Sequence, residues 1–329
     1  MSRRSGRALA GLLVLAVAAC QGRSTGRGDS AAVSSQEADD VAALIEKGDV
    51  DGALARLQGN EDPQALYLQG RAWAKKAETA PLPTPPPVAS PLPKGAPTPG
   101  RPEFKPEERK AIELYERALA ARPDLAAAHV ALAQLLAPHA IRFRELEKEA
   151  QARQKAALAT RRRGQPAPEP LPTPEPGIDY RAERVAREFR EALRSDPSRA
   201  PVEALIAFGV KAGRLDDAEI GYQELIRRVK ESGEPLALYG DFLVNEKNDP
   251  AAAIEQYRQA LIWSADDSVT RSKLAAIFLR RGVDYLNQQQ YASAEVQFNE
   301  AAKYISDRNS AQGRQLAELQ AKVREIRVR

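Results

Sequence analysis

A short pattern of small and aromatic residues recurs along this chain and limits what it can fold into. In its clearest copy Ala111 is followed by Tyr115, Ala118 and Pro123. Small residues at this spacing lie on one side of a helix and let a second helix approach closely, while the ring fills the space between them. Further copies begin at Val185, Ala218, Ala253, Ala294 and, in shorter form, Ala53. The chain is therefore predicted to consist of helix pairs repeated in series.

The segments between these copies supply the first helix of each pair. Gly70 and Trp73 occur at the small and aromatic positions of one such helix, and Gly48 and Gly213 fall where two helices of a pair meet. This pattern resembles the tetratricopeptide repeat over most of residues 39–307. The resemblance implies an all-α helical-repeat solenoid of about six helix pairs. Residues 308–329 are predicted to form a capping helix, with apolar side chains at Leu316, Leu319, Val323 and Ile326.

Two insertions interrupt the repeat. The first two steps between successive copies exceed the family period of 34 residues by about 24 and 40 residues. The first insertion, at about residues 79–106, contains 11 prolines between Ala80 and Pro106 and is predicted to be a loop or polyproline II segment. The second, at about residues 139–178, contains a charged helix from Ala140 to Arg163 and then a proline-rich stretch. Both fall between the two helices of a pair, so both are expected on the same edge of the solenoid.

Basic residues outnumber acidic ones in the charged helix of the second insertion. Arg142, Arg144, Lys148, Arg153 and Lys155 lie among Glu145, Glu147 and Glu149. Such a segment could contact peptidoglycan, lipid headgroups or an acidic protein. The alternative, which is the usual role of a charge run, is a helix that its charge only keeps in solvent.

The N-terminus has the layout of an export signal. Three arginines precede an uncharged apolar run of 12 residues, Ala8 to Ala19. A helix needs roughly 20 apolar residues to cross a bilayer, so residues 1–19 are predicted to be a signal peptide and not a permanent span.

The only cysteine, Cys20, follows this run directly. The stretch from Val17 to Cys20 resembles the bacterial lipobox, and the resemblance implies that Cys20 becomes the acylated N-terminus of the mature protein. Gln21 in place of Asp favours an outer-membrane anchor facing the periplasm. Residues 20–38 would then be a flexible tether. An ordinary secretory peptide without lipid is the alternative.

The net charge of +4 does not indicate nucleic-acid binding. Removal of residues 1–19 takes away three arginines and leaves 46 Lys and Arg against 45 Asp and Glu. No nucleic-acid motif appears in the remainder.

The sequence contains no recognisable catalytic, cofactor or metal site. Its two histidines, His129 and His139, are isolated from other candidate ligands or nucleophiles. The aspartate pairs at Asp216 and Asp266 stand at predicted helix starts, where acids cap free backbone amides. We therefore predict a protein without catalytic activity.

The family resemblance implies a binding groove lined by first-helix residues. The corresponding positions are Tyr67, Arg71, Lys75, Glu203, Lys211, Phe242 and Leu279. This mixture of apolar and charged groups suits a peptide or helix of a cell-envelope protein. The predicted function is a membrane-anchored scaffold or assembly factor, of the type that serves pilus secretins or outer-membrane protein insertion. An adaptor for cell-wall or polysaccharide machinery is the alternative, and a hydrolase on a repeat fold is a third.

Overall fold

The fold is built from paired α-helices. The computed structural model describes residues 32–81, 103–160, 171–174 and 176–328, and no strand occurs within these ranges. The helices are α1 (Ser35–Lys47), α2 (Val50–Arg56), α3 (Pro63–Thr79), α4 (Pro106–Ala121), α5 (Ala126–Thr160), α6 (Ala182–Ser195), α7 (Ala200–Lys211), α8 (Leu215–Arg228), α9 (Glu234–Asn245), α10 (Pro250–Trp263), α11 (Ser268–Asn287), α12 (Tyr291–Ala302) and α13 (Ala311–Val328). They form six consecutive pairs and a final helix that packs on α11 and α12. The predicted all-α solenoid is confirmed.

Close contact between a small residue and an aromatic ring holds the helices of a pair together. A methyl group on Gly70 of α3 would lie 2.5 Å from Cε1 of Tyr115 in α4. A methyl group on Gly240 of α9 would lie 2.6 Å from Cε1 of Tyr257 in α10, and α11 and α12 repeat the arrangement. Both tyrosines are buried. The recurring sequence pattern therefore records a physical contact, because a side chain on the first helix would displace the ring of the second.

The solenoid begins earlier than the sequence predicted. α1 starts at Ser35, inside the segment 20–38 that was expected to be a tether. Ser34 caps this helix, since its Oγ accepts a hydrogen bond from the amide of Glu37 at 3.2 Å. Val41 of α1 is fully buried against the first helix pairs. The last residues of the predicted tether therefore belong to the fold.

The first insertion leaves and rejoins the fold at a fixed stem. Lys105 Nζ donates hydrogen bonds to the carbonyls of Ala77 and Ala80, at 2.6 and 2.7 Å. Phe104 is buried. The C-terminal end of the predicted insertion at 79–106 is thus part of the packed structure, because these side chains close the end of α3 and the start of α4.

The charged helix of the second insertion is a continuation of α5. Proline in a helix interior removes a hydrogen bond and commonly ends or kinks the helix, yet α5 continues through Pro138. Ala140, Phe143 and Leu146 beyond it are buried, so packing favours continuation. Only the end of the helix, at residues 151–159, is mostly exposed. The charged helix predicted from Ala140 is therefore present, and its first part is packed into the repeat.

An aromatic cluster joins the return points of the two insertions. The rings of Phe104 and His139 stack with centroids 3.9 Å apart, and Phe104 meets Tyr180 edge-on at 5.2 Å. Phe143 contacts Tyr180 edge-on as well, with centroids 5.5 Å apart. Phe104 follows the first insertion and Tyr180 follows the second, so both chain segments are held at one place in the core.

The final helix covers the end of the stack. Leu316 and Val323 are buried, and Leu319 and Ile326 pack against the same core. α13 therefore has the position and the apolar side that the sequence predicted for a cap.

The stem predicts that residues 82–102 can be removed without loss of stability. We expect replacement by a short Gly-Ser linker to change the thermal midpoint by no more than about 3 °C, because loop length has a weak effect on chain entropy. Circular dichroism during heating measures the midpoint. The same deletion combined with Phe104→Ala is the control, and it should cost about 3–5 kcal/mol. Equal losses in the two proteins would show that residues 82–102 themselves stabilise the fold.

Candidate functional site

The predicted groove residues lie on the first helices α3, α7, α9 and α11. We use the term first-helix face for the exposed and half-buried side chains of these helices together with the ion pairs that join them to one another.

Tyr67, Arg71 and Lys75 form the start of the first-helix face on α3. The guanidinium carbon of Arg71 lies 6.0 Å from the centre of the Tyr67 ring, and Arg71 Nη2 donates to Glu46 Oε1 of α1 at 2.6 Å. Burial raises the pKa of Tyr67, against the opposing effect of Arg71. Lys75 pairs with Glu78 on the same helix at 2.7 Å. Arg71 thus links two neighbouring first helices.

Glu203 and Lys211 lie at opposite ends of α7. Glu203 pairs with Arg199, the N-cap residue of α7, at 2.5 Å. Arg199 Nη2 also donates to Glu234 Oε1 at the start of α9, at 2.9 Å. Lys211 is exposed and has no ion pair with any residue that the structure describes. A second ion pair therefore bridges consecutive first helices.

Phe242 and Leu279 do not belong to the first-helix face. They are 2% and 3% exposed and lie within the hydrophobic core of the C-terminal repeats. Their side chains offer no surface to a partner, so both are removed from the predicted groove. Phe242 was assigned to the groove by an alignment that is shifted by one residue. Arg71 lies one residue after Gly70, whereas Phe242 lies two residues after Gly240.

Asp241 occupies the place that was assigned to Phe242. Its Oδ2 accepts a hydrogen bond from Lys273 Nζ of α11 at 2.7 Å, and its Oδ1 accepts one from the hydroxyl of Tyr257, also at 2.7 Å. Neither Asp241 nor Lys273 was predicted as a site residue. Alignment of the glycines, and not of the apolar pattern, would have identified Asp241. Its pair with Lys273 is a third bridge between first helices.

A buried polar network lies at the junction of the second and third helix pairs. His129 Nδ1 lies 2.6 Å from Glu188 Oε2, and His129 Nε2 lies 2.8 Å from the carbonyl oxygen of Pro123. Glu188 also accepts a hydrogen bond from Arg184, which reaches Glu116 of α4 at 3.3 Å. Since both ring nitrogens face acceptors, only the doubly protonated imidazolium can donate to both.

The charges in this network favour the ionised forms. Burial lowers the pKa of His129, but the hydrogen bonds with Glu188 and with the Pro123 carbonyl, together with the charge of Glu188, outweigh burial and raise it. Burial raises the pKa of Glu188, but its contacts with His129 and Arg184 outweigh burial and lower it. The network ties α4, α5 and α6 together. Both His129 and Glu188 are buried, so the network stabilises the contact between these helices.

The aspartate pairs serve helix starts and ion pairs. Asp267 caps α11, since its Oδ1 accepts from the amides of Val269 and Thr270 at 3.0 and 3.1 Å. Asp217 instead is buried in the first turn of α8 and pairs with Arg214. Within the described ranges, no three His, Cys, Asp or Glu side chains are grouped so as to hold a metal ion.

The predicted membrane anchor lies at the N-terminal end of the chain, before the first residue that the structure describes. Cys20 and the apolar run before it are outside the residues that the structure describes. Among the described helices, none has the length and apolarity needed to cross a membrane.

The fold defines a tetratricopeptide-like helical-repeat protein. No family model and no curated protein sequence matches the chain. Among solved structures it is similar to TTC0263, a thermophilic TPR protein from Thermus thermophilus, at 16% identity over 74% of this chain and 98% of that one, with a TM-score of 0.33. It is similar to the APC/C hetero-tetramer Cut9-Hcn1 at 13% identity over 82% of this chain and 40% of that one, with a TM-score of 0.33.

A third similar structure is the human IFIT1 dimer with PPP-AAAA, at 13% identity over 81% of this chain and 53% of that one, with a TM-score of 0.34. The chain spans about half or less of the length of Cut9-Hcn1 and IFIT1. The assignment to the helical-repeat class rests on the chain's own paired helices.

The His129 network predicts a pH-dependent contribution to stability. Because the folded pKa of His129 is raised above the unfolded value of about 6.5, this contribution is complete below that pH and is lost as pH rises through the folded pKa. We expect His129→Gln to lower the free energy of unfolding by about 1.5–3 kcal/mol in mild acid and by less in mild base. Urea unfolding under both conditions measures the difference. A deficit of equal size at both pH values would contradict the protonated state.

Proposed function

We propose that this chain is an exported, membrane-anchored scaffold that recruits a cell-envelope protein on its first-helix face. The observation that carries the proposal is the set of three ion pairs, from Arg71, Arg199 and Asp241, that join successive first helices. They join α1 to α3 at the N-terminal end of the face, and α7 to α9 and α9 to α11 at its C-terminal end. Helical-repeat proteins commonly use such extended surfaces for protein binding.

The chemistry of the face suits a peptide or helix from another protein. Exposed ion pairs contribute only about 0–1 kcal/mol each, so a partner's charges can replace them at low cost. Lys273 and Asp241 retain 36% and 30% of their side-chain exposure. Tyr67 adds an aromatic surface beside Arg71. A partner with alternating charged and apolar side chains would therefore find complementary groups along the face.

The sequence at Cys20 supports the membrane anchor. Acyl chains on this cysteine would hold the protein at the outer membrane facing the periplasm, and two or more chains are needed for stable binding. Residues 21–34 separate Cys20 from α1, and a stretch of this length spans at most about 50 Å. Confinement to such a layer raises the effective concentration of any partner at the same membrane.

The anchor is tested by Cys20→Ala. We expect the parent protein to fractionate with membranes and to resist extraction by high salt, whereas the variant should appear in the soluble fraction. Mass spectrometry of the mature N-terminus distinguishes an acylated cysteine from a free one. Membrane association of the variant at the parent level, with a free N-terminal residue in the parent, would rule out the lipoprotein role.

The partner is tested by crosslinking in intact cells. A photoreactive amino acid at Lys75 or Glu203 on the first-helix face should capture the same envelope protein, whereas the same group at the exposed Val296 of α12 should not. Identification by mass spectrometry separates the possible roles. A secretin or an insertion barrel would indicate assembly, and a wall synthase or polysaccharide exporter would indicate an adaptor. Equal capture from Val296 would contradict recruitment by this face.

A further inference from the structure

The extended part of α5 forms one wall of a cleft that the repeat alone would not contain. The cleft has a volume of about 240 Å³. Its polar lining comes from α5 and from the start of α6: Arg144, Glu147, Lys148, Gln151, Arg181 and Glu183. Phe143, buried below these side chains, holds the wall in place. The cleft is thus a fixed feature of the second insertion.

The α7–α8 turn lies beside the cleft. Arg144 Nη2 donates to the carbonyl of Gly213 in this turn at 3.2 Å. Lys148 Nζ lies 3.6 Å from the position that a methyl group on Gly213 would occupy. Lys211, at the end of α7, is two residues before Gly213 in the chain. Two cations of α5 therefore lie against one short turn, and a third cation, Lys211, directly precedes that turn in the chain.

These three cations have no carboxylate partner within the described residues. Arg144 makes its hydrogen bond to a backbone carbonyl, and neither Lys148 nor Lys211 takes part in an ion pair there. Two other charges of the cleft are compensated: Arg181 pairs with Asp179 at 3.0 Å, and Glu183 accepts from Arg214 at 2.6 Å. The cleft and the turn beside it thus carry an excess of positive charge.

Glu147 lines the cleft without an ion pair to any residue that the structure describes. Burial and the charge of Glu183 raise its pKa, while Arg144 and Arg181 oppose this rise. Its carboxylate would repel a second carboxylate that entered the cleft. A ligand carboxylate would therefore bind closer to Arg144 and Lys148 than to Glu147.

We infer that this cleft is a second docking surface, which binds an acidic segment of a partner protein. The inference rests on the proposed scaffold function and names the chemistry of a partner. Arg144 and Lys148 would bind side-chain carboxylates of the segment within the cleft, and Lys211 would bind a further one at the turn. A cleft of about 240 Å³ favours a protein segment over a bilayer, because a flat lipid surface cannot enter a concave site.

Fluorescence anisotropy with a labelled poly-glutamate peptide tests this site on the purified full chain in detergent. A poly-glutamine peptide of the same length is the probe control. We expect saturable, salt-sensitive binding of the acidic peptide, with the affinity reduced about fivefold or more in Arg144→Gln/Lys148→Gln. Glu147→Gln should bind the peptide more tightly than the parent. The single variant Lys148→Gln gives a second measurement. Because Lys148 is exposed, its replacement leaves the hydrogen bond from Arg144 to the Gly213 carbonyl in place.

The matched control is Lys322→Gln/Arg324→Gln, which removes the same charge from exposed positions of α13, outside the first-helix face. It should change the affinity by less than about twofold. Equal losses in the two double variants, or a larger loss in the α13 variant, would overturn the assignment to the cleft. Binding of phosphatidylglycerol vesicles through Arg144 and Lys148, without binding of the peptide, would also overturn the assignment to the cleft. Because the probe is soluble and the protein is purified, failure here would leave the Cys20 anchor and the crosslinking results unaffected.

Discussion

The structure depends on the close approach of two helices within each pair. Where Gly70 meets Tyr115, or Gly240 meets Tyr257, no side chain on the first helix separates the two backbones, and the ring fills the groove between them. A pair built this way leaves an apolar side uncovered, and only the next pair can bury it. The same contact therefore specifies both the pair and the stack, and α13 is needed where the stack ends.

The edge of the stack accepts insertions because it lies outside these contacts. Lys105 closes the first insertion by binding the carbonyls at the end of α3. Phe104 and Tyr180 then meet in one aromatic cluster, so the two insertions return to the fold at neighbouring positions. The first part of the long helix α5 is the first helix of the third pair, and its last part is an exposed extension. New surface is thereby added without any change to the packing of the pairs.

Charge is distributed according to the same architecture. Ion pairs between first helices join α7, α9 and α11 along one polar face, while the His129 and Glu188 pair is buried between α5 and α6. Exposed and buried ion pairs differ in how readily they can exchange partners. Exposed pairs can exchange partners at little cost, whereas a buried pair stabilises one arrangement and is costly to break. Recruitment is therefore expected at the first-helix face, and rigidity at the junction of the second and third helix pairs.

The sequence by itself determined the helix pairs, their order, the edge that carries the insertions and the capping helix, because all of these follow from local spacing of small, aromatic and proline residues. Only the tertiary structure decided that α5 continues past Pro138, that Phe242 is buried while Asp241 reaches Lys273, and that His129 meets Glu188. These features depend on which distant side chains meet in space, and a one-dimensional pattern of residues does not contain that information.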